Sequence, residues 1–186
     1  MEDLIQKFNL SPHPEGGFYR ETYRSEQNVI TILEDESSEN AARQRSTCTA
    51  IYFLISPGNI SRLHRIKSDE IWHFYLGSPL SIIEIGNEFQ PNNFRETILG
   101  HDIAQGQLVQ YTVKRGTWFG CYPAVDPTNP RPHSSSIMKK DSYSFVGCTV
   151  APGFDFADFE LASRSKLLDQ FPKASEIIIK LTEGLP

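Results

Sequence analysis

His64 and Glu70 are the residues of this chain best placed for chemistry: an imidazole and a carboxyl group six positions apart, bracketed by Gly58 and Gly77. Those two groups are the common proton carriers near neutral pH and common ligands of transition metals. Catalytic metal sites usually take three protein ligands or more, so a metal here needs another donor. His73 is a candidate third ligand. Side chains alternate across a strand, however, and His73 stands an odd number of positions from Glu70, so an unbroken strand turns the two apart. Arg62 shares strand parity with His64 and is expected to point the same way, either to grip an anion or to neutralise Glu70.

Without a metal, the same pair predicts an acid–base couple facing a pocket. Burial against rings such as Trp72, Phe74 and Phe119 would raise the carboxyl pKa by desolvation, and Tyr52, Tyr75 or Tyr111 would supply a complementary acid. The plain alternative is a core hydrogen bond between His64 and Glu70, since buried polar groups need partners. Tyr52, Phe53, Trp72, Trp118 and Phe119 read either as pocket wall or as ordinary core. In the segment from His13 to Arg20, HPEGGFYR, the paired glycines lead into a strand rather than a helix amino terminus, which excludes a phosphate loop. Glu15 and Arg20 are expected to reach the pocket mouth, with Arg24 and Arg65 as further anion-gripping candidates.

The elements that must hold these groups read as β-structure. From Thr47 onward come short runs of branched and aromatic residues, CTAIYFLI, EIWHFYL, LSIIEI, LVQYTV, TWFGCY and YSFVGCTV, separated by turns rich in glycine, proline and serine. That spacing predicts a sandwich or barrel. Leu4, Ile5 and Phe8 give an amino-terminal helix an apolar face, and helical spacing returns over 164–171 and 174–181. The acidic run Glu34–Asn40 reads as a surface loop, and the proline-rich stretch Asp126–Ser136 as a loop long enough to cover a barrel mouth.

The 186 residues, 39% hydrophobic and 22% charged, suit one domain with a sizeable core. A net charge of −5 without a basic run argues against nucleic acid. The absence of a leader-like start or a long apolar run argues against a membrane and predicts a cytoplasmic protein. Cys48, Cys121 and Cys148 are odd in number and widely spaced, without a CxxC pair, and read as small buried residues.

Taken together, these segments resemble the cupin superfamily. Gly58, His64, Glu70 and Gly77 match its first motif, with Ile66 where a second histidine usually stands. In the second motif, around Gly106–Phe119, Phe119 takes the histidine's place, so only His64 and Glu70 remain of four expected ligands. HPEGGFYRETY, TAIYFLI, SDEIWHFYLGSPL and GCTVAPGFDFADFELA narrow the resemblance to the cupin-5 family of uncharacterised proteins. The resemblance implies an all-β double-stranded β-helix, or jelly roll, with a barrel core over about residues 15–160, a helical segment over about 161–186, and a homodimer. It also implies a small-molecule-binding barrel whose ligand it does not specify; with His64, Glu70 and Arg62 as the polar groups, the expected ligand is a small polar or anionic metabolite, such as a sugar or nucleotide derivative. Catalysis, where present, would be metal-free proton transfer of the epimerase or isomerase kind, with His64 as base and Glu70 beside it. Arg62, Tyr52, Trp72, His73, Trp118, Phe119, Glu15 and Arg20 would contact the ligand. The alternatives are an enzyme with a divalent metal held by His64 and Glu70, and a non-catalytic binding or storage barrel. No cofactor is favoured.

Overall fold

The structure, a computed structural model, describes residues 1–32, 42–124 and 143–184. The runs Glu34–Asn40 and Asp126–Ser136 lie outside the described residues. In chain order, helix α1 (Glu2–Phe8) precedes strands β1 (Ser11–Pro12), β2 (Phe18–Arg24), β3 (Asn28–Ile32), β4 (Ala42–Ser46), β5 (Thr49–Ile55) and β6 (Ser61–Arg65). Then follow β7 (Asp69–Gly77), β8 (Leu80–Ile85), β9 (Phe94–Leu99), β10 (Gln110–Val113), β11 (Trp118–Pro123), β12 (Ser144–Ala151), β13 (Glu160–Leu161), α2 (Arg164–Gln170) and α3 (Ser175–Leu181).

Two antiparallel sheets make up the jelly roll, one in the order β1-β2-β5-β12-β7-β10 and the other in the order β13-β6-β11-β8-β9. Strands β3 and β4 pair only with each other, as a hairpin. Alternation along the strands decides which side chains meet. Phe53 and Ile55 from β5, Trp72 from β7 and Val146 from β12 join Leu80 and Ile82 of β8 and Phe119 of β11 in one buried cluster between the sheets. Strand β8 is buried along its whole length, because Ile83 and Ile85 on its other face pack beneath α2 and α3, against Leu167, Ile178 and Leu181. Burial on both faces explains why LSIIEI lacks a polar alternation. On the far side, α1 lays Leu4, Ile5 and Phe8 over Leu54 and Phe145.

Candidate functional site

At one end of the barrel the two sheets enclose a cavity of about 450 Å³. Its walls come from cross-strand pairs of β2 and β5, namely Tyr19 with Phe53, Glu21 with Ile51, and Arg24 with Thr49. Its polar floor is built from His13, Glu15, His64 and Glu70, with Cys148 and Ile66 beside them.

Glu15 reaches the floor because the turn before β2 lies flat on its neighbours. Gly16 and Gly17 take φ of 113° and 70°, values that L side chains rarely adopt. A Cβ on Gly16 would meet the Ile60 carbonyl oxygen and one on Gly17 would stand 2.8 Å from that of Leu54, so only glycine allows this approach. The Glu15 carbonyl accepts from the Arg62 N–H at 2.8 Å, tying the turn to β6, and its buried carboxyl receives the Ser61 hydroxyl at 2.8 Å.

Backbone bulges aim two further groups. Between Phe119 opposite His64 and Cys121 opposite Ser61, the single residue Gly120 faces both Arg62 and Leu63. The extra residue switches parity, so Ser61 and His64, three positions apart, both face inward. A Cβ on Gly120 would stand 2.7 Å from the Ser61 carbonyl, which makes the glycine part of the bulge. In β2 the register shifts between Glu21 and Tyr23, and Thr22 is the surplus residue. That shift turns Arg24 back into the cavity wall.

The hydrogen-bond geometry locates a proton. His64 Nδ1 lies 2.7 Å from the Arg62 carbonyl, which can only accept, so Nδ1 carries hydrogen. In the neutral ring Nε2 is then an acceptor, yet it faces Glu15 Oε2 at 3.2 Å. Burial lowers the His64 pKa, with the charge of Glu70 and the Arg62 carbonyl opposing. It raises that of Glu15, against the pull of His13 and Ser61. Both directions favour the uncharged form of each group. His13 accepts from the Glu15 N–H at 3.3 Å through Nδ1, which also lies 3.5 Å from the same carboxyl, and burial lowers its pKa too. Burial likewise pushes Glu70 up to about 7, opposed by His64 and by a hydrogen bond from the Cys148 thiol and reinforced by Glu15. Cys148, read from sequence as purely structural, thus lines the cavity beside Glu70.

Of the residues singled out in the sequence, His64, Glu70 and Glu15 meet here, and Phe119 packs its ring on His64 with centroids 4.1 Å apart. His13 is a floor residue that the sequence reading did not single out; the turn closed by the Gly16 N–H on the His13 carbonyl at 3.0 Å brings it beside Glu15.

The remaining candidates do not line the cavity. Arg62, turned outward by the bulge, donates to the Glu183 carbonyl at 2.9 Å. Tyr52 alternates to the outer face and packs on Phe8 and Phe145. His73 lies across β7 from Glu70, its Nε2 3.0 Å from the Thr149 hydroxyl. Trp118 stacks beneath Arg65, on the helix-covered face. Trp72 is sealed deeper in the core against Phe53 and Phe119. Arg20 reaches out to the Phe8 carbonyl at 3.2 Å. Tyr75 lies over Gly147, half-exposed, and Tyr111 donates to Glu84. Glu84 is itself buried and held by Arg95 at 2.8 Å. The register runs His64, Phe119, Glu84, Arg95 across four strands, so Phe119 stands between the two polar groups.

The donor set does not fit a transition metal. Two of the positions aligned with ligands hold Ile66 and Phe119, which offer only carbon, and the ring nitrogen of His64 left free for a metal faces Glu15. Among the described residues no group of three or more His, Cys, Asp or Glu side chains is arranged to hold a metal ion.

The sheets and the chamber between them define a double-stranded β-helix barrel with an interior of small-molecule dimensions. The chain belongs to the Cupin_5 family, described as Cupin superfamily (DUF985), whose model matches residues 2–162. It is similar to a hypothetical protein from Leishmania major, at 34% identity and a TM-score of 0.78, covering 97% of both chains. Protein SO0799 from Shewanella oneidensis is 36% identical, with a TM-score of 0.72, covering 97% of this chain and 95% of that one. The uncharacterized protein YML079W of Saccharomyces cerevisiae is 24% identical over 164 residues, 85% of this chain and 73% of that protein. Among the described residues no helix is long and apolar enough to cross a membrane.

Proposed function

We propose that this barrel binds a small polar metabolite and moves a proton at one of its carbons, as an isomerase or epimerase does, using its own side chains. The observation that carries this reading is the approach of His64 Nε2 to within 3.2 Å of Glu15 Oε2 in the same cavity as Glu70. Glu70, at about 7, is poised to serve as either acid or base near neutral pH. In the forward step one carboxylate takes a proton from a C–H beside a carbonyl, the electron pair moves to the carbonyl oxygen, and the neighbouring acid protonates that oxygen. Return of a proton to the former carbonyl carbon, with loss of the neighbouring hydroxyl's proton to the carboxylate, gives an isomer, and return to the opposite face of the original carbon, with loss of the enol proton, gives an epimer. Ser61 and the Arg62 carbonyl hold Glu15 and His64 in place.

The test is hydrogen exchange into D2O, followed by NMR, over a panel of small hydroxy-carbonyl compounds. We expect the native chain to wash out one C–H signal, and Glu70→Gln or His64→Ala to slow this by roughly a hundred-fold to ten-thousand-fold. Thermal stabilisation by a compound without exchange would instead identify a non-catalytic binding barrel. Near-stoichiometric metal in protein purified without chelator, lost in His64→Ala, would overturn the proposal in favour of a metal enzyme.

A further inference from the structure

We infer that the cavity selects a small organic cation, a ligand bearing a protonated amine or a quaternary ammonium group, and not an acid. The inference narrows the binding reading above and rests on it. Charge is the first ground. Among the described residues that line it are four carboxyl groups, Glu15, Glu21, Glu70 and Asp155, against one guanidinium, Arg24; Glu21 is spent on that guanidinium and Asp155 stands 3.9 Å from Arg45, which leaves Glu70 on the floor as the carboxyl group available to a guest.

That guanidinium is already committed. It forms a two-pronged pair with Glu21 at 2.9 and 2.6 Å and donates to the Phe154 carbonyl at 3.1 Å and the Ser46 hydroxyl at 3.5 Å. The arginines that the sequence offered for gripping an anion are bound elsewhere: Arg20 on Phe8, Arg62 on Glu183 and Arg65 on Glu160. Among the described residues, an anion entering the chamber would meet carboxyl groups and no uncommitted arginine.

The second ground is Glu70. Its side chain is more than nine-tenths buried and lines the chamber, yet its hydrogen-bond partner is the Cys148 thiol, a weak donor. Nor can His64 Nδ1–H serve it, since that donor is used on the Arg62 carbonyl. The floor therefore presents a carboxyl group with its strong acceptor capacity unused.

The walls supply what such a cation needs on its other sides. Tyr19, Phe53, Phe154 and Phe156 all border the space. The rings stand at steep angles: Phe154 and Phe156 are 82° apart at 5.0 Å, and His13 meets Tyr19 at 90° and Phe53 at 84°. Phe156, 51% exposed, sits on this lining as a large apolar ring without cover. Ring faces attract an ammonium group through their quadrupoles, most strongly where water is excluded. An ammonium ion would thus meet a carboxyl group below and aromatic surface around it.

Isothermal titration of the full chain with matched pairs tests this. The probes are choline against its neutral carbon isostere, 3,3-dimethylbutan-1-ol, and glucosamine against glucose and gluconate. We expect one cation to bind at least tenfold tighter than its uncharged counterpart, and Glu70→Gln or Asp155→Asn to shrink that ratio. Glucose or gluconate binding as tightly as glucosamine, with choline no better than its isostere, overturns the charge assignment and leaves the binding reading standing. Binding by none of the five overturns the cation inference, while thermal stabilisation in the hydroxy-carbonyl panel separately decides whether the barrel binds a metabolite. Should a variant fail to fold, the native comparison between isosteres still decides.

Discussion

Glu70 illustrates how a single buried carboxyl can work against the stability of the chain that holds it. Burial raises its pKa from the usual 4.5 to about 7, so the folded chain binds this proton more tightly than the unfolded chain does. Its contribution is therefore fully present below about pH 4.5, declines as pH rises toward 7, and stays low above that. The shift corresponds to a cost on the order of 3 kcal/mol at high pH. Glu70→Gln should accordingly be more stable than the native chain at pH 8 and nearly equal to it at pH 4, in denaturant titrations read at both values. At this scale the sequence was informative about types: an imidazole, two carboxyl groups and a positive-φ Gly-Gly turn all stand where chemistry needs them. It did not reveal that the His64 ring stands 3.2 Å from the Glu15 carboxyl, because that contact joins distant parts of the chain across a turn.

Strands were legible where a run was apolar and bounded by turns, as in LSIIEI, which is β8 over the same residues. They were less so where one face is polar: β9, with Arg95 and Glu96 exposed, was not anticipated, nor was the hairpin of β3 and β4. Counting parity placed His73 away from Glu70, as the strand between them is regular there, but failed for Arg62 because a bulge intervenes. The bulge depends on a contact between strands, Gly120 against the Ser61 carbonyl, and no local pattern announces it. Gly120→Ala should force the strands apart at that point. A loss of about 1–3 kcal/mol is expected from such overpacking, accompanied by displacement of Ser61 from Glu15, which crystallography or NMR of the variant would show.

For the molecule as a whole, the resemblance predicted the jelly roll, and the sheet order and the family match agree with it. The carboxy-terminal helices lie beyond the matched residues, yet they cover a face of the barrel: Ile178 and Leu181 are fully buried over Ile83 and Ile85 of β8. Ile178→Ala should cost about 2–5 kcal/mol in chemical denaturation, the range for a large-to-small change in a packed core. A loss below 1 kcal/mol would mean that the helices are an appendage rather than part of the core.

The position of Phe119 has a consequence for how charge is distributed inside this barrel. On one side of its ring Glu84 is matched by Arg95 and Tyr111, a closed set of partners. On the other side His64 and Glu15 stand 3.2 Å apart on the floor of the cavity. The phenyl group thus lies as an apolar partition between a self-neutralised set of side chains and the titratable groups that line the cavity.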